Sequence, residues 1–172
     1  MMKKNRAMLI GAIGAGKSTL TNALLGKEVQ AVKTQALVYY DWIVDTPGEY
    51  TENPLFYKNI MATALEVSHV LYLQDATKRN SIFPPGFSTG INKFPIGVVT
   101  KSDAEVANID LAVSYLKQVI PKGPIVISSS VTGKGIREIQ ELVQCLGYDE
   151  MKSYCLQQEN ENLFYYDSFT KQ

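Results

Sequence analysis

The chain has 172 residues, 45% of them hydrophobic and 20% charged, with a formal net charge of zero. Those values suit one globular domain, and the absent net charge removes any global electrostatic case for binding nucleic acid or an anionic membrane. Two cysteines without a C-x-x-C pair and a single histidine exclude a Cys/His zinc site.

The chain opens on a basic stretch, Met1-Met2-Lys3-Lys4-Asn5-Arg6. The apolar run after it, residues 7–10, is too short for the core of a signal peptide. No segment reaches the length of a membrane span. These readings predict a cytoplasmic protein with reduced thiols and no membrane partner.

Directly after the run 7–10 comes Gly11-Ala12-Ile13-Gly14-Ala15-Gly16-Lys17-Ser18, which fits G-x-x-x-x-G-K-[ST], the phosphate-binding P-loop. A helix-forming run, residues 18–25, follows and completes the strand–loop–helix context. Glycines let the backbone curl round a phosphate without Cβ clashes. The freed N–H groups and the helix N-terminus then face an anion. Lys17 is placed to reach the β- and γ-phosphates, and the Ser18 hydroxyl to ligate Mg²⁺.

Further strand-length apolar runs lie at 37–40, 42–44, 70–73, 96–99 and 125–127. Helical patterns fall between most of them. Asn53-Pro54 reads as an N-cap followed by a first-turn proline, with Phe56, Ile60, Ala64 and Val67 on one face. Ile109, Ala112, Val113, Leu116, Val119 and Ile120 make a second stripe, ended by Pro121. Ile136, Ile139, Leu142, Val143 and Leu146 make a third, with Gly147 as its stop. This alternation predicts an α/β three-layer fold of the P-loop NTPase class: a mostly parallel sheet, helices on both faces, and runs 37–40 and 42–44 paired antiparallel at one edge. Residues 77–95, with Pro84-Pro85-Gly86, read as a loop anchored by Ile82, Phe83 and Phe87. His69, at the start of a strand, is read as structural. The domain is expected to span 1–149, leaving residues 150–172 as a tail or extra helix outside the core, suited to docking.

Ligands of such sheets bind at the carboxyl ends of strands, so residues after each run are informative. After 42–44 comes Asp45-Thr46-Pro47-Gly48-Glu49. Asp45 is placed to hold Mg²⁺, and the Gly48 N–H to touch a γ-phosphate. After 96–99 comes Thr100-Lys101-Ser102-Asp103. After 125–127 comes Ser128-Ser129-Ser130-Val131.

In order and spacing these segments resemble the nucleotide motifs of small translation-factor-class GTPases. The resemblance implies that Asp103 accepts two hydrogen bonds from a guanine edge, that Lys101 lies along the base, and that Ser129 and Ser130 border the guanine carbonyl. It makes Thr34 a Mg²⁺- and γ-phosphate-sensing residue. Two departures stand out. Thr100 replaces the usual Asn, which weakens guanine selectivity and leaves ATP as an alternative. Glu49 stands where many such enzymes carry a water-orienting Gln, which implies slow hydrolysis. The resulting catalytic set is Lys17, Thr34 and Glu49. The nucleotide contacts are Gly11, Ala12, Gly14, Ala15, Gly16, Lys17, Ser18, Thr19, Gly48, Thr100, Lys101, Asp103, Ser129 and Ser130. The Mg²⁺ ligands are Ser18, Thr34 and Asp45.

A more specific resemblance covers roughly residues 6–148. Lys33-Thr34-Gln35, Asp45-Thr46-Pro47-Gly48-Glu49-Tyr50, Phe83-Pro84-Pro85-Gly86-Phe87 and Ile96-Gly97-Val98-Val99-Thr100-Lys101 are similar to the family of ethanolamine-utilisation protein P and propanediol-utilisation protein V. That resemblance implies a P-loop protein of a bacterial ethanolamine or propanediol operon, binding Mg²⁺ with GTP or GDP. It carries two alternatives: a phosphotransferase that passes phosphate between ATP and a small carboxylate such as acetate, and a nucleotide-dependent adaptor whose partners are shell or enzyme proteins of a bacterial microcompartment.

Overall fold

The computed structural model describes residues 4–27 and 36–170. A seven-stranded sheet carries the fold, in the order β2-β3-β1-β4-β5-β6-β7. Its strands are β1 (Ala7–Ile10), β2 (Val38–Tyr39), β3 (Ile43–Asp45), β4 (His69–Asp75), β5 (Phe94–Thr100), β6 (Lys122–Ile127) and β7 (Leu163–Asp167). The five central strands run parallel, and β2 and β7 pair antiparallel at the two edges. The predicted three-layer α/β architecture and the antiparallel 37–44 pair are present.

Parallel strands covered on both faces must be apolar throughout, and β1 and β4 are buried at every position. Alternate residues supply the two faces. Ala7, Leu9, Leu71 and Leu73 pack beneath α1 (Lys17–Leu25) and α5 (Ile136–Gln144) through Leu20, Leu24, Ile139 and Leu142. Met8, Ile10, Val70 and Tyr72 pack against α3 (Tyr57–Ala64) and α4 (Ile109–Val119) through Ile60, Ala64, Ala112 and Leu116. One-turn α2 (Glu49–Glu52) precedes α3. Asn53 caps the segment after α2, its side chain accepting from the Leu55 N–H at 3.0 Å; Asn108 caps α4 likewise through Leu111. Residues 77–93 form the expected loop, broken by a 3-10 turn at Phe87–Gly90, and it is anchored by Phe83 and Phe87, both edge-on to Tyr72 and tilted to each other.

Two expectations are corrected. The third helical stripe stops short: α5 ends at Gln144, Cys145 is extended, and Leu146 stands 72% exposed. Gly147 leads into the next helix and does not close this one. The last segment is also no appendage. Residues Tyr148–Gln157 form α6, which buries Met151 and Cys155 in the α5-side core. β7 follows it, buries Leu163, and pairs residue for residue with β6 from Lys122↔Asp167 to Val126↔Leu163. Without β7 the backbone edge of β6 would be left open.

Candidate nucleotide site

The carboxyl ends of β1, β3, β4, β5 and β6 converge on the P-loop. Gly16 enters α1 at φ 99°, a conformation that a side chain would strain, so the motif's last glycine is required by the backbone itself. Lys17 opens α1 and folds back into the loop. It is only 6% exposed, and its Nζ donates to the carbonyls of Gly11 (2.9 Å) and Ala12 (2.8 Å). Burial draws its ammonium down from 10.5 to about 8, against the opposing pull of the Asp45 and Glu52 carboxylates. Thr19, two residues further, is exposed.

Ser18 and Asp45 meet: the Ser18 hydroxyl donates to Asp45 Oδ2 at 2.8 Å, and Asp45 is buried at the end of β3. The two supply hard oxygen donors of the kind Mg²⁺ takes while drawing its other ligands from phosphate and water. No group of three or more His, Cys, Asp or Glu gathers among the described residues. Thr46 pins the strand end by donating to the Leu9 carbonyl at 2.6 Å. Gly48 lies against the P-loop so closely that a Cβ on it would stand 2.6 Å from Ile13 N and Cα. Thr34 falls outside the described residues.

On the other side of the loop, Thr100 donates its hydroxyl to the Ala15 carbonyl at 2.7 Å. The residue that departs from the usual Asn therefore still braces the P-loop. Lys101 adopts φ 60°, rare for a residue with a side chain. Its Nζ donates to the Gly14 carbonyl (2.6 Å) and to Asp75 Oδ2 (2.8 Å), making a strut from β5 to both the P-loop and β4. Burial pushes the Asp75 carboxyl upward, but the Lys101 bond, the Thr77 hydroxyl and N–H bonds and the Lys101 charge outweigh it and hold it below the ordinary value. Two residues on, Asp103 stands exposed and accepts from the buried Ser129 hydroxyl at 2.7 Å. Ser129 also accepts from the Thr132 N–H, with half-buried Ser130 between them. The third and fourth segments thus share one surface.

Glu49 is exposed, and among the described residues no side-chain hydrogen bond holds it. The carboxylate bonded to the P-loop belongs to its neighbour one helical turn on: Glu52 Oε1 accepts the Ile13 N–H at 2.9 Å. Glu52 and Asp75 are the two site residues that the sequence reading passed over. Asp75 was findable, because it lies two residues past the 70–73 run, much as Asp45 lies directly past 42–44. Glu52 carries no such signal, since its partner is a backbone N–H. A cavity of about 260 Å³ adjoins the P-loop between Ala12, Ile13, Glu52, Gln74, Asp75 and Lys78. A larger one of about 470 Å³ lies beyond it, past Thr77, Arg79, Glu105 and Asn108. Among the described residues no helix is long and apolar enough to cross a membrane.

Solved GTPase domains share this fold. Era of Aquifex aeolicus, bound to GDP·AlF4⁻, aligns at TM-score 0.58 with 21% identity, over 83% of this chain and 56% of that one. The FeoB G-domain of Methanococcus jannaschii aligns at 0.57 with 25% identity, over 83% and 96%. By sequence the chain is 36% identical over 135 residues to the propanediol utilization protein PduV of Citrobacter freundii, covering 78% of this chain and 89% of that protein. It is 32% identical over 147 residues to a protein of Salmonella typhimurium named probable acetate kinase EutP, covering 84% and 92%. The profile of the PduV-EutP family, described as ethanolamine utilisation - propanediol utilisation, matches residues 2–145. A P-loop nucleotide cradle on a GTPase fold, closed by the Asp45-to-Tyr50 and Thr100-to-Asp103 segments, is thus joined to extended sequence identity, and the chain belongs to the PduV-EutP family of ethanolamine and propanediol utilisation.

Proposed function

We propose that the site binds Mg²⁺ with GTP and hydrolyses it slowly to GDP. The observation that carries this reading is the Asp103–Ser129 bond (2.7 Å), which aims an exposed carboxylate beside a lysine strut already tied to the P-loop. A carboxylate so held can accept from the ring N–H and the exocyclic amine of guanine together, whereas adenine offers no such donor pair. Lys17 and the loop N–H groups would meet the phosphates, Ser18 and Asp45 the metal, and Gly48 the γ-phosphate; Thr34 completes the proposed set. Slow turnover follows from Glu49, whose side chain no hydrogen bond orients among the described residues and which can accept from a water but cannot donate to phosphoryl oxygens.

The test is titration with GTP, GDP, ATP and ADP. Guanine nucleotides should bind more tightly, and Asp103→Asn should weaken GTP roughly 10- to 100-fold, the value of hydrogen bonds to a charged group. The same variant should gain affinity for xanthine nucleotides, whose acceptor pattern suits an amide. Equal binding of ATP and GTP by the unaltered protein would overturn the guanine assignment.

A second reading is phosphoryl transfer to a small carboxylate. It is favoured by the 260 Å³ cavity against the P-loop, with Lys78 on its wall, and by the relatives named probable acetate kinase. Acetyl phosphate formed from ATP and acetate, measured beside phosphate released from GTP, separates the two.

A further inference from the structure

Residues 48–52 touch the P-loop twice, and both contacts fall on Ile13. The first is steric: the Gly48 backbone lies against Ile13 with no room for a Cβ. The second is electrostatic: the Glu52 carboxylate accepts the Ile13 N–H at 2.9 Å. The two residues are locked into one turn, with the Glu52 N–H bonded to the Gly48 carbonyl at 3.2 Å. Ile13 stands between Gly11 and Gly14, inside the loop whose amides and lysine make the positive cradle. Meanwhile Lys17 Nζ rests on the carbonyls of Gly11 and Ala12, and the Glu52 charge reaches it. A fixed negative charge therefore already sits at the rim of the site that has to receive phosphate. Glu52 and Ile13 are both exposed, so solvent screens this charge in part; two anions held at one loop still repel each other, and the repulsion grows with the charge and reach of the incoming one. A nucleoside diphosphate is one phosphoryl group shorter than a triphosphate and less charged, so it meets less of it.

We propose that Glu52 is a specificity-determining residue that selects against the terminal phosphate: its carboxylate holds the Ile13 N–H in the nucleotide-free and diphosphate states and has to leave it for a triphosphate. This rests on the P-loop binding nucleotide, but not on which base it carries.

The experiment is calorimetric titration of the full chain, Glu52→Gln and Glu52→Ala with GDP and with a GTP analogue whose β–γ bridge resists hydrolysis; ADP and the adenine analogue are run in parallel. Removing the charge should raise triphosphate affinity roughly tenfold while diphosphate affinity moves less than twofold. Glu52→Gln should deliver most of that change, because an amide oxygen keeps the acceptor and loses only the charge. In the nucleotide-free protein the Ile13 amide resonance should shift in Glu52→Ala. In the unaltered protein the triphosphate analogue should move it well beyond the shift that the diphosphate produces, and in Glu52→Ala that difference should shrink. Equal changes for both nucleotides, weaker triphosphate binding in Glu52→Gln, or an Ile13 resonance indifferent to Glu52 each overturn the assignment while nucleotide still binds. Failure of all forms to bind any of the four ligands would instead overturn the P-loop reading, and this assignment with it.

Discussion

Lys17 carries its charge where burial makes charge costly, and a phosphate would offset that cost further than the two carbonyls and two carboxylates already do. In the free protein its proton is held loosely, with a value of about 8, because burial outweighs the attraction of Asp45 and Glu52. A bound phosphate stabilises the charged form and raises that value. The sign follows: below pH 8 Lys17 is already protonated and binding takes up no proton, so affinity is flat. Above pH 8 each binding event has to take up a proton, and affinity should fall by up to about tenfold per pH unit. Calorimetry between pH 7 and 9.5 in two buffers of different ionisation heat reads both the slope and the proton. Lys17→Ala should lose about 2–3 kcal/mol of binding, the worth of a charge-assisted contact, and the slope with it, while circular dichroism stays unchanged.

Among the elements, β7 is an edge strand whose removal should still be felt. Deleting residues 158–172 strips the β6 edge of its partner and takes the buried Leu163 out of the core. Burial of one leucine is worth roughly 1.5–3 kcal/mol and each ladder hydrogen bond about 1. A fall of about 10 °C or more in Tm is expected by scanning calorimetry, with nucleotide affinity retained where the truncated chain is folded. The reason β7 and α6 were illegible in the sequence is physical. α6 buries only Met151 and Cys155, too few for a stripe to emerge from its polar residues. β7 covers its aromatics with ammonium groups: Lys117 lies over Phe164 and Tyr166, and Lys152 over Tyr165. Such a strand reads as polar and aromatic, not as core. α3, α4 and the central strands were legible because their stripes bury continuous apolar faces. Within the site, Ser18, Asp45 and Asp103 were legible as strand-end and motif residues, whereas the Thr100 brace on Ala15 depends on a backbone carbonyl that no motif specifies.

On the scale of the whole molecule, nucleotide chemistry and acid sensitivity lie at opposite ends of the sheet. His69 starts β4, at the amino end, fully buried, with its ring against Phe94 and its Nδ1 2.8 Å from the Ser68 hydroxyl. Burial lowers it from 6.5 to about 4, and the Cys145 backbone offsets this only slightly. The folded state holds it neutral while the unfolded chain takes the proton, so stability is intact above pH 6.5 and declines as pH falls towards 4. The full loss is about 3 kcal/mol. Denaturation midpoints across that window should trace it, and His69→Gln should flatten it without altering nucleotide affinity at neutral pH. The sheet order has one more consequence, for the order in which a growing chain becomes functional. The P-loop is made first, yet the bonds that brace it come from Thr100 and Lys101, 85 and 87 positions later. At roughly 5–20 residues per second, a ribosome leaves these two bonds unmade for on the order of ten seconds. Nascent chains shorter than this therefore carry the whole phosphate motif with no finished pocket to use it, and nucleotide capture marks a chain whose sheet has already grown past β5.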